Sequence, residues 1–310
     1  MSFLYALESI RNPALDAFFS AVTHAGEETL FIVFGLLLFW CVSKRRGYYL
    51  LIVGFAGTVI NQFLKLFFRV PRPWVRDPDF TIVESACAEA AGYSFPSGHT
   101  QISVGAYGCF ARCFSHPLVR GISIALCILV PFSRMYLGVH YPSDVLVSVV
   151  IAVALIFLLY PLVMRAVSHP RQMRMLFAAL ICMTAAHLLF VHLYPFPADI
   201  DAQNLSSGVK NGYTMLGCLL GMLATYEVDT RYTNFSTEGS LRVQAVKLIA
   251  GFALIMGIRA GLKAPLRALL HGSPASDCLR YFIMVAFAGC VWPLTFPHIR
   301  RMIDKNNPDS

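Results

Sequence analysis

Apolar runs long enough to cross a bilayer follow one another along almost the whole chain, and no other feature restricts the fold so strongly. A membrane-spanning helix needs about 20 consecutive, mostly apolar residues. Of the 310 residues, 57% are hydrophobic and 14% are charged, whereas about 25% are charged in globular domains. We therefore predict an all-α fold, a polytopic transmembrane helix bundle. Its predicted spans, about nine, are 29–43, 48–68, 98–115, 120–139, 144–164, 174–194, 213–229, 243–262 and 279–297.

The chain divides into three predicted parts. Residues 1–28 lack the basic start, apolar core and small-residue cleavage site of a signal peptide, and they suggest an amphipathic helix at the membrane interface. Residues 29–170 contain the polar motifs described below and form the predicted core. Residues 171–310 add further transmembrane helices without such motifs.

The distribution of Lys and Arg indicates the orientation in the membrane. If the N-terminus faces outward, fourteen of the 25 cationic residues lie on the inner side and eleven on the outer side. Many outer ones belong to the motifs below, and a cation held by a site is not evidence about topology. We therefore predict an outward N-terminus and an inward C-terminus. We attribute the net charge of +8 to the Lys and Arg residues of the loops between the spans, because no basic stripe or motif indicates binding to nucleic acid.

Three polar clusters interrupt the apolar runs, and the predicted orientation places all three at the outer face. They are "KLFFRVPRP" at the end of the second run, "FPSGHT" at the start of the third, and "SRMYLGVHYPSD" between the fourth and fifth. Each alone has an ordinary explanation: interfacial cations, a helix cap or chance spacing. Ionisable groups at a membrane are costly and usually functional, so three clusters on one face indicate a site. The candidate residues are Lys65, Arg72, Ser97, Gly98, His99, Arg134, His140 and Asp144.

Five of these residues suit a phosphate group. Arg72 and Arg134 offer planar forks that match phosphate oxygens, and Lys65 adds a point charge. Ser97 is a favourable N-cap, and Gly98 allows close approach of the backbone to a ligand. The first turn of the third run would then present its N–H groups to an anion.

The two histidines differ in their surroundings. Pro142 suits the first turn of the fifth run, which puts Asp144 within reach of His140. A carboxylate on one imidazole nitrogen fixes the tautomer and leaves the other nitrogen free to attack. His99 has no such partner nearby in sequence and stands at the predicted anion-binding turn. We therefore expect His140 to act as nucleophile and His99 as general acid.

In these motifs the chain resembles the type-2 phosphatidic acid phosphatase (lipid phosphate phosphatase) superfamily, whose signature is K-x6-R-P, P-S-G-H and S-R-x5-H-x3-D. All three parts are complete and correctly spaced, and the resemblance covers about residues 48–164. It implies a phosphoric monoester hydrolase without metal or cofactor, working through a phosphohistidine on His140 that Asp144 orients. His99 would protonate the leaving group and then activate water. The implied phosphate ligands are Lys65, Arg72, Ser97, Gly98 and Arg134.

The substrate stays open at this point. A site at the bilayer surface, on the extracytoplasmic or lumenal face, suits a lipid such as phosphatidic acid, a sphingoid phosphate or a polyprenyl (di)phosphate. The expected partners are this lipid and the bilayer, and the added spans could hold a homodimer interface. Many family members have six spans, and a nine-span plan also resembles glucose-6-phosphatases. The alternatives are a phosphotransferase using the same site, a glucose-6-phosphatase-like sugar phosphatase, and a non-catalytic lipid-binding or transport protein.

The loop 74–93 between the first two motifs is the predicted lid and selectivity element. Its acidic residues could contact a sugar or amine headgroup, or they form a solvated face of the loop. They are Asp77, Asp79, Glu84 and Glu89.

Overall fold

The computed structural model describes residues 1–86, 90 and 92–304, and these residues form helices without any β-strand. The all-α prediction is confirmed. Fourteen α-helices have these bounds: α1 Ser2–Ser9, α2 Pro13–His24, α3 Glu28–Leu37, α4 Lys44–Phe68, α5 Pro73–Arg76, α6 Gly98–Cys113, α7 Pro117–Tyr136, α8 Pro142–Ala166, α9 Pro170–Leu193, α10 Ala202–Val228, α11 Leu241–Gly261, α12 Lys263–Leu269, α13 Ala275–Ala286 and α14 Phe296–Asp304. Short π-helical turns continue α3, α10 and α13, at Leu38–Val42, Asp229–Thr233 and Phe287–Val291.

Every predicted span falls on a helix, but fewer than nine qualify as membrane spans. Within the described residues, six segments are long and apolar enough to cross a membrane, and the bent pair of α2 and α3 would make a seventh. Helix α6 has only 16 residues, and α10 begins with a polar stretch, which explains why neither qualifies. The helical membrane bundle is confirmed, and the nine-span plan is not. The six segments are Lys44–Arg76, Pro117–Tyr136, Pro142–Ala166, Pro170–Leu193, Leu241–Leu269 and Ala275–Asp304.

The chain forms two compact units, the first of residues 1–32, 49–162 and 195–208, the second of residues 33–48, 163–194 and 209–310. In the second unit, Trp40 donates from its indole nitrogen to the carbonyl of Ala288 at 2.9 Å. Lys44 pairs there with Asp229 at 2.8 Å. The division predicted from the sequence, at residues 28 and 170, stays a prediction.

The first unit contains all three motifs. Helix α2 packs on α7 through Phe19, whose ring centroid lies 4.4 Å from that of Tyr136. Helices α4 and α8 are joined where the buried hydroxyl of Tyr49 donates to the carbonyl of Ile156 at 2.7 Å. These contacts fix the helices whose ends carry the motif residues.

The N-terminal segment forms two helices rather than one, and both contact the loop between the first two motifs. The hydroxyl of Tyr5 donates to Asp77 at 2.9 Å. In α2, the hydroxyl of Ser20 is hydrogen-bonded to that of Ser85 at 2.7 Å. Between the two helices, the guanidinium of Arg11 donates to the carbonyl of Thr81 at 2.9 Å. These bonds anchor the described part of the predicted lid, whereas Glu89 lies outside the described residues. The interfacial position of residues 1–28 stays a prediction.

Candidate active site

The first polar cluster occupies the end of α4 and the short helix α5. Lys65 lies in the last turn of α4, and its ammonium donates to the carbonyl of Tyr93 at 2.6 Å. Arg72 precedes Pro73, the first residue of α5. Its Nε donates to the carbonyl of Gly92 at 2.8 Å. Both cations are therefore bonded to the segment that leads into the second cluster.

The second cluster begins α6 in the way the sequence predicts. Ser97 is the N-cap, and its hydroxyl accepts the N–H of Thr100 at 3.4 Å. Gly98 and His99 form the first turn of α6, where the backbone N–H groups have no partner within the helix. The N–H of Ser97 donates to the carbonyl of Asp144 at 3.2 Å, so the backbone joins the second cluster to the third.

The third cluster connects α7 to α8. Arg134 lies fully buried in the last turn of α7, and its Nη1 donates to the hydroxyl of Thr23 at 2.6 Å. Gly138 has a φ of 82°, a left-handed conformation that glycine adopts without steric cost. The turn at this glycine leads the chain back to α8, so that His140 and Asp144 lie beside each other.

The contacts of His140 identify its tautomer. Its Nδ1 lies 3.4 Å from Oδ2 of Asp144, and its Nε2 lies 3.3 Å from Nη1 of Arg72. A guanidinium only donates hydrogen bonds, so Nε2 is the acceptor and the ring proton is on Nδ1. Burial and then the positive charges of Arg72, Lys65 and Arg134 lower the pKa of His140 well below its ordinary value. His140 is therefore neutral at neutral pH, with a lone pair on Nε2.

The structure brings the sequence-predicted residues into one cluster, in which Lys65, Gly98 and His99 are half-buried and the others are buried. His99, together with the three cations, lies close enough to His140 to lower its pKa. Ser97 and Gly98 are joined to the cluster through the backbone bond from Ser97 to Asp144. A Cβ at Gly98 would lie 3.9 Å from the amide oxygen of the buried Asn61 in α4, so the side chain of Asn61 lies beside this turn. The catalytic and binding roles of these residues stay predictions.

Three buried hydroxyls that the sequence analysis did not single out belong to the same cluster. Thr23 accepts the hydrogen bond of the buried guanidinium described above. Ser148 donates to the carbonyls of Ser97 and Asp144, at 2.9 and 2.8 Å. Ser94 donates to Oδ2 of Asp144. No motif spacing signals these three residues, and only Ser94 lies next to a motif.

Two family models match the chain. Residues 45–168 match the PAP2 superfamily, and residues 213–302 match the transmembrane extension of PAP2 superfamily phosphatases. The first match contains all three clusters, and the second covers most of the helices that follow α9. No solved structure matches the chain significantly.

Curated proteins similar to the chain are phosphatases by name. Undecaprenyl-diphosphatase BcrC of Bacillus subtilis is 33% identical over 158 residues, which are 49% of this chain and 77% of the relative. A probable sphingosine-1-phosphate phosphatase of Dictyostelium discoideum is 30% identical over 160 residues, 47% of this chain and 38% of the relative. Phosphatidylglycerophosphatase B of Bacillus subtilis is 28% identical over 162 residues, 48% of this chain and 75% of the relative.

Proposed function

Because the chain belongs to the PAP2 superfamily and is an integral membrane lipid phosphatase, we propose that it hydrolyses lipid phosphates through a phosphohistidine on His140. The observation that carries this proposal is the position of His140 between Asp144 and Arg72, with the proton on Nδ1 and the lone pair on Nε2. A buried, neutral imidazole held in this tautomer is suited to attack phosphorus.

In the first step, Nε2 of His140 attacks the phosphorus atom, and the bond from phosphorus to the lipid oxygen breaks. Asp144 stabilises the positive charge that develops on the ring, as a carboxylate does behind a catalytic histidine. The departing oxygen takes a proton from His99, which stands in the first turn of α6. Burial and the positive charges of Arg134, Arg72 and Lys65 lower the pKa of His99 to about 3, so His99 takes up this proton only once the negative charge of the bound phosphate offsets those cations. The products of this step are the free lipid alcohol and the phosphohistidine.

In the second step, water attacks the phosphohistidine. His99, which lost its proton in the first step, accepts a proton from the water as the oxygen bonds to phosphorus. The bond between nitrogen and phosphorus then breaks, and inorganic phosphate leaves with His140 neutral again. One histidine therefore serves as acid and then as base.

The phosphate would be held by the cations and by the N-terminus of α6. Lys65, Arg72 and Arg134 supply charge and hydrogen bonds to the equatorial oxygens, on which negative charge accumulates in the transition state. The N–H groups of Gly98 and His99, in the first turn of α6, add donors at the positive end of a helix dipole.

The position of the cluster supports a lipid substrate. Lys65 and Arg134 lie in the last turns of α4 and α7, and Asp144 lies in the first turn of α8. Within the described residues, three of the six segments that could cross a membrane therefore contribute helix ends to the site. A lipid phosphate lies at the depth of the headgroups. Two proteins similar to this chain are named as phosphatases of undecaprenyl diphosphate and of sphingosine 1-phosphate.

Phosphate release from a panel of substrates by the purified protein tests this proposal. The panel contains phosphatidic acid, sphingosine 1-phosphate, a polyprenyl diphosphate and glucose 6-phosphate in matched detergent. We expect release from lipids and no more than background from the sugar phosphate. Preferential hydrolysis of the sugar phosphate would contradict the proposal. Product analysis with an added alcohol acceptor distinguishes a hydrolase, which yields inorganic phosphate, from a phosphotransferase.

Chelation should leave the activity unchanged. Within the described residues, no group of three or more His, Cys, Asp and Glu side chains could hold a metal ion, and three cations surround the nucleophile. We expect phosphate release to stay within about twofold after treatment with EDTA, since cations of the protein perform the electrostatic role that metals have in other phosphatases. Loss of activity on chelation, restored by a divalent metal, would contradict this mechanism.

We also propose that the site faces the extracytoplasmic or lumenal side. In the predicted nine-span plan, the distribution of Lys and Arg supports an inward C-terminus, with the site on the opposite face. Green fluorescent protein fused after α14 should fluoresce in bacterial cells, because it folds on the cytoplasmic side. Alkaline phosphatase fused at the same position should be inactive, because it requires export. Within the nine-span plan, the reverse pattern would place the active site on the cytoplasmic face.

A further inference from the structure

Ser94 is a buried residue at the centre of the candidate active site that belongs to none of the three motifs. Its side chain has no exposed surface. The backbone N–H of Ser94 donates to the carbonyl of Val70 at 2.8 Å, which fixes the loop between the first two clusters. The position of its hydroxyl is therefore set by the fold rather than by solvent.

The hydroxyl of Ser94 lies between the two residues that form the proposed nucleophile. It donates to Oδ2 of Asp144, and its oxygen lies 3.4 Å from Nδ1 of His140. The same Oδ2 accepts the N–H of Tyr141 at 2.9 Å and lies 3.4 Å from Nδ1 of His140. One carboxylate oxygen therefore faces the imidazole and is held there by two donors.

A serine hydroxyl has one proton to donate and lone pairs to accept. The proton is used on Asp144, so the lone pairs are directed to donors, and the proton on Nδ1 of His140 is such a donor. Two contacts of the same length, to Ser94 and Asp144, share this proton. Such an arrangement fixes the ring orientation and the tautomer in which Nε2 carries the attacking lone pair.

We propose that Ser94 is a positioning residue for the nucleophile: it holds the carboxylate of Asp144 toward His140 and accepts a share of the Nδ1 proton. This inference rests on the proposed phosphohistidine mechanism. It assigns Ser94 no contact with phosphate, since its hydroxyl faces Nδ1 and the attacking atom is Nε2 on the opposite side of the ring. The residue should thus affect the rate of phosphoryl transfer and leave substrate binding unchanged.

Ser94→Ala removes the hydroxyl with little change in volume. We expect kcat for a lipid phosphate to fall about 10- to 100-fold, the range for a hydrogen bond to a charged group. KM and the inhibition constant of inorganic phosphate should stay within about twofold, because the phosphate ligands are unchanged. Ser94→Cys keeps nearly the same size with a weaker hydrogen-bonding group. Its kcat should therefore lie between that of the wild type and that of Ser94→Ala.

A double-mutant cycle with Asp144→Asn separates positioning from packing. If Ser94 acts through Asp144, Ser94→Ala should lower kcat by less than about threefold in the Asp144→Asn background, because the interaction is already lost. Ser103→Ala is the matched control, since Ser103 is also buried. Among the residues that the structure describes, its hydroxyl bonds only to the carbonyl of Thr100, at 3.2 Å within its own helix. The control should keep wild-type kcat.

Three results would overturn the inference: unchanged kcat in Ser94→Ala, full multiplication of the two losses in the cycle, or a rise in KM with kcat retained. Thermal unfolding of each purified variant shows whether a loss reflects misfolding, and Ser94→Cys provides the second variant in that case. Turnover retained by a His140→Asn variant would instead defeat the proposed function itself, so the two failures are distinguishable.

Discussion

Replacing His140 with Asn should lower kcat/KM for a lipid phosphate by about 10⁴-fold or more, because the covalent route loses its nucleophile. Asparagine retains a polar group beside Arg72 and Asp144 but has no nitrogen lone pair that can attack phosphorus. The loss should appear in kcat, while inorganic phosphate still competes for the site. Steady-state rates and product inhibition in detergent measure both quantities.

The control for this experiment is His116→Asn. His116 is an exposed residue directly before α7 and lies in none of the three motifs, so its replacement should leave kcat/KM within about twofold. Helical content and the elution volume on size exclusion show that both variants fold. A His140→Asn protein that retains turnover within about tenfold of wild type would remove His140 from the role of nucleophile.

Replacing His99 with Asn should produce a loss that depends on the leaving group. For a lipid phosphate, whose alcohol leaves only with a proton, we expect kcat to fall about 10²- to 10⁴-fold. For p-nitrophenyl phosphate, the phenolate leaves without protonation, so the first step should be affected much less. Because His99 is also the proposed base of the second step, the phosphoenzyme should accumulate and produce a burst of nitrophenol.

Rapid-quench kinetics with the two substrates measure this difference. The His116→Asn control should have the same ratio of the rates on the lipid phosphate and on p-nitrophenyl phosphate as the wild-type protein. An equal loss on both substrates without a burst would assign His99 to phosphate binding rather than to proton transfer.

The fold was predictable to the extent that local patterns determine it. The apolar runs predict the helices because a chain in lipid must satisfy its backbone hydrogen bonds internally. The number of crossings was not predictable from them. Helix α6 is short because its start carries the polar turn at Ser97 and Gly98, and it ends after 16 residues at Cys113. Length and composition alone do not decide whether such a helix crosses the membrane, so the nine-span plan stays a prediction.

The candidate site was predictable where its geometry is local. His140 and Asp144 are four residues apart at a helix start marked by Pro142, so their contact follows from the sequence. The supporting hydroxyls are different. Ser94 meets Asp144 across 50 residues of chain, and Thr23 meets its partner across 111 residues. Packing of segments that are distant in the chain creates these contacts, and no local spacing signals them.

The covalent intermediate is the most direct test of the account. Protein quenched within milliseconds of mixing with a ³²P-labelled lipid phosphate should carry label that is lost in acid and retained in base, as expected of a phosphoramidate. Peptide mapping should place the label on His140, and the His140→Asn protein should carry none. Acid-stable label on Ser97, or turnover at full rate without any trapped phosphoenzyme, would contradict the mechanism.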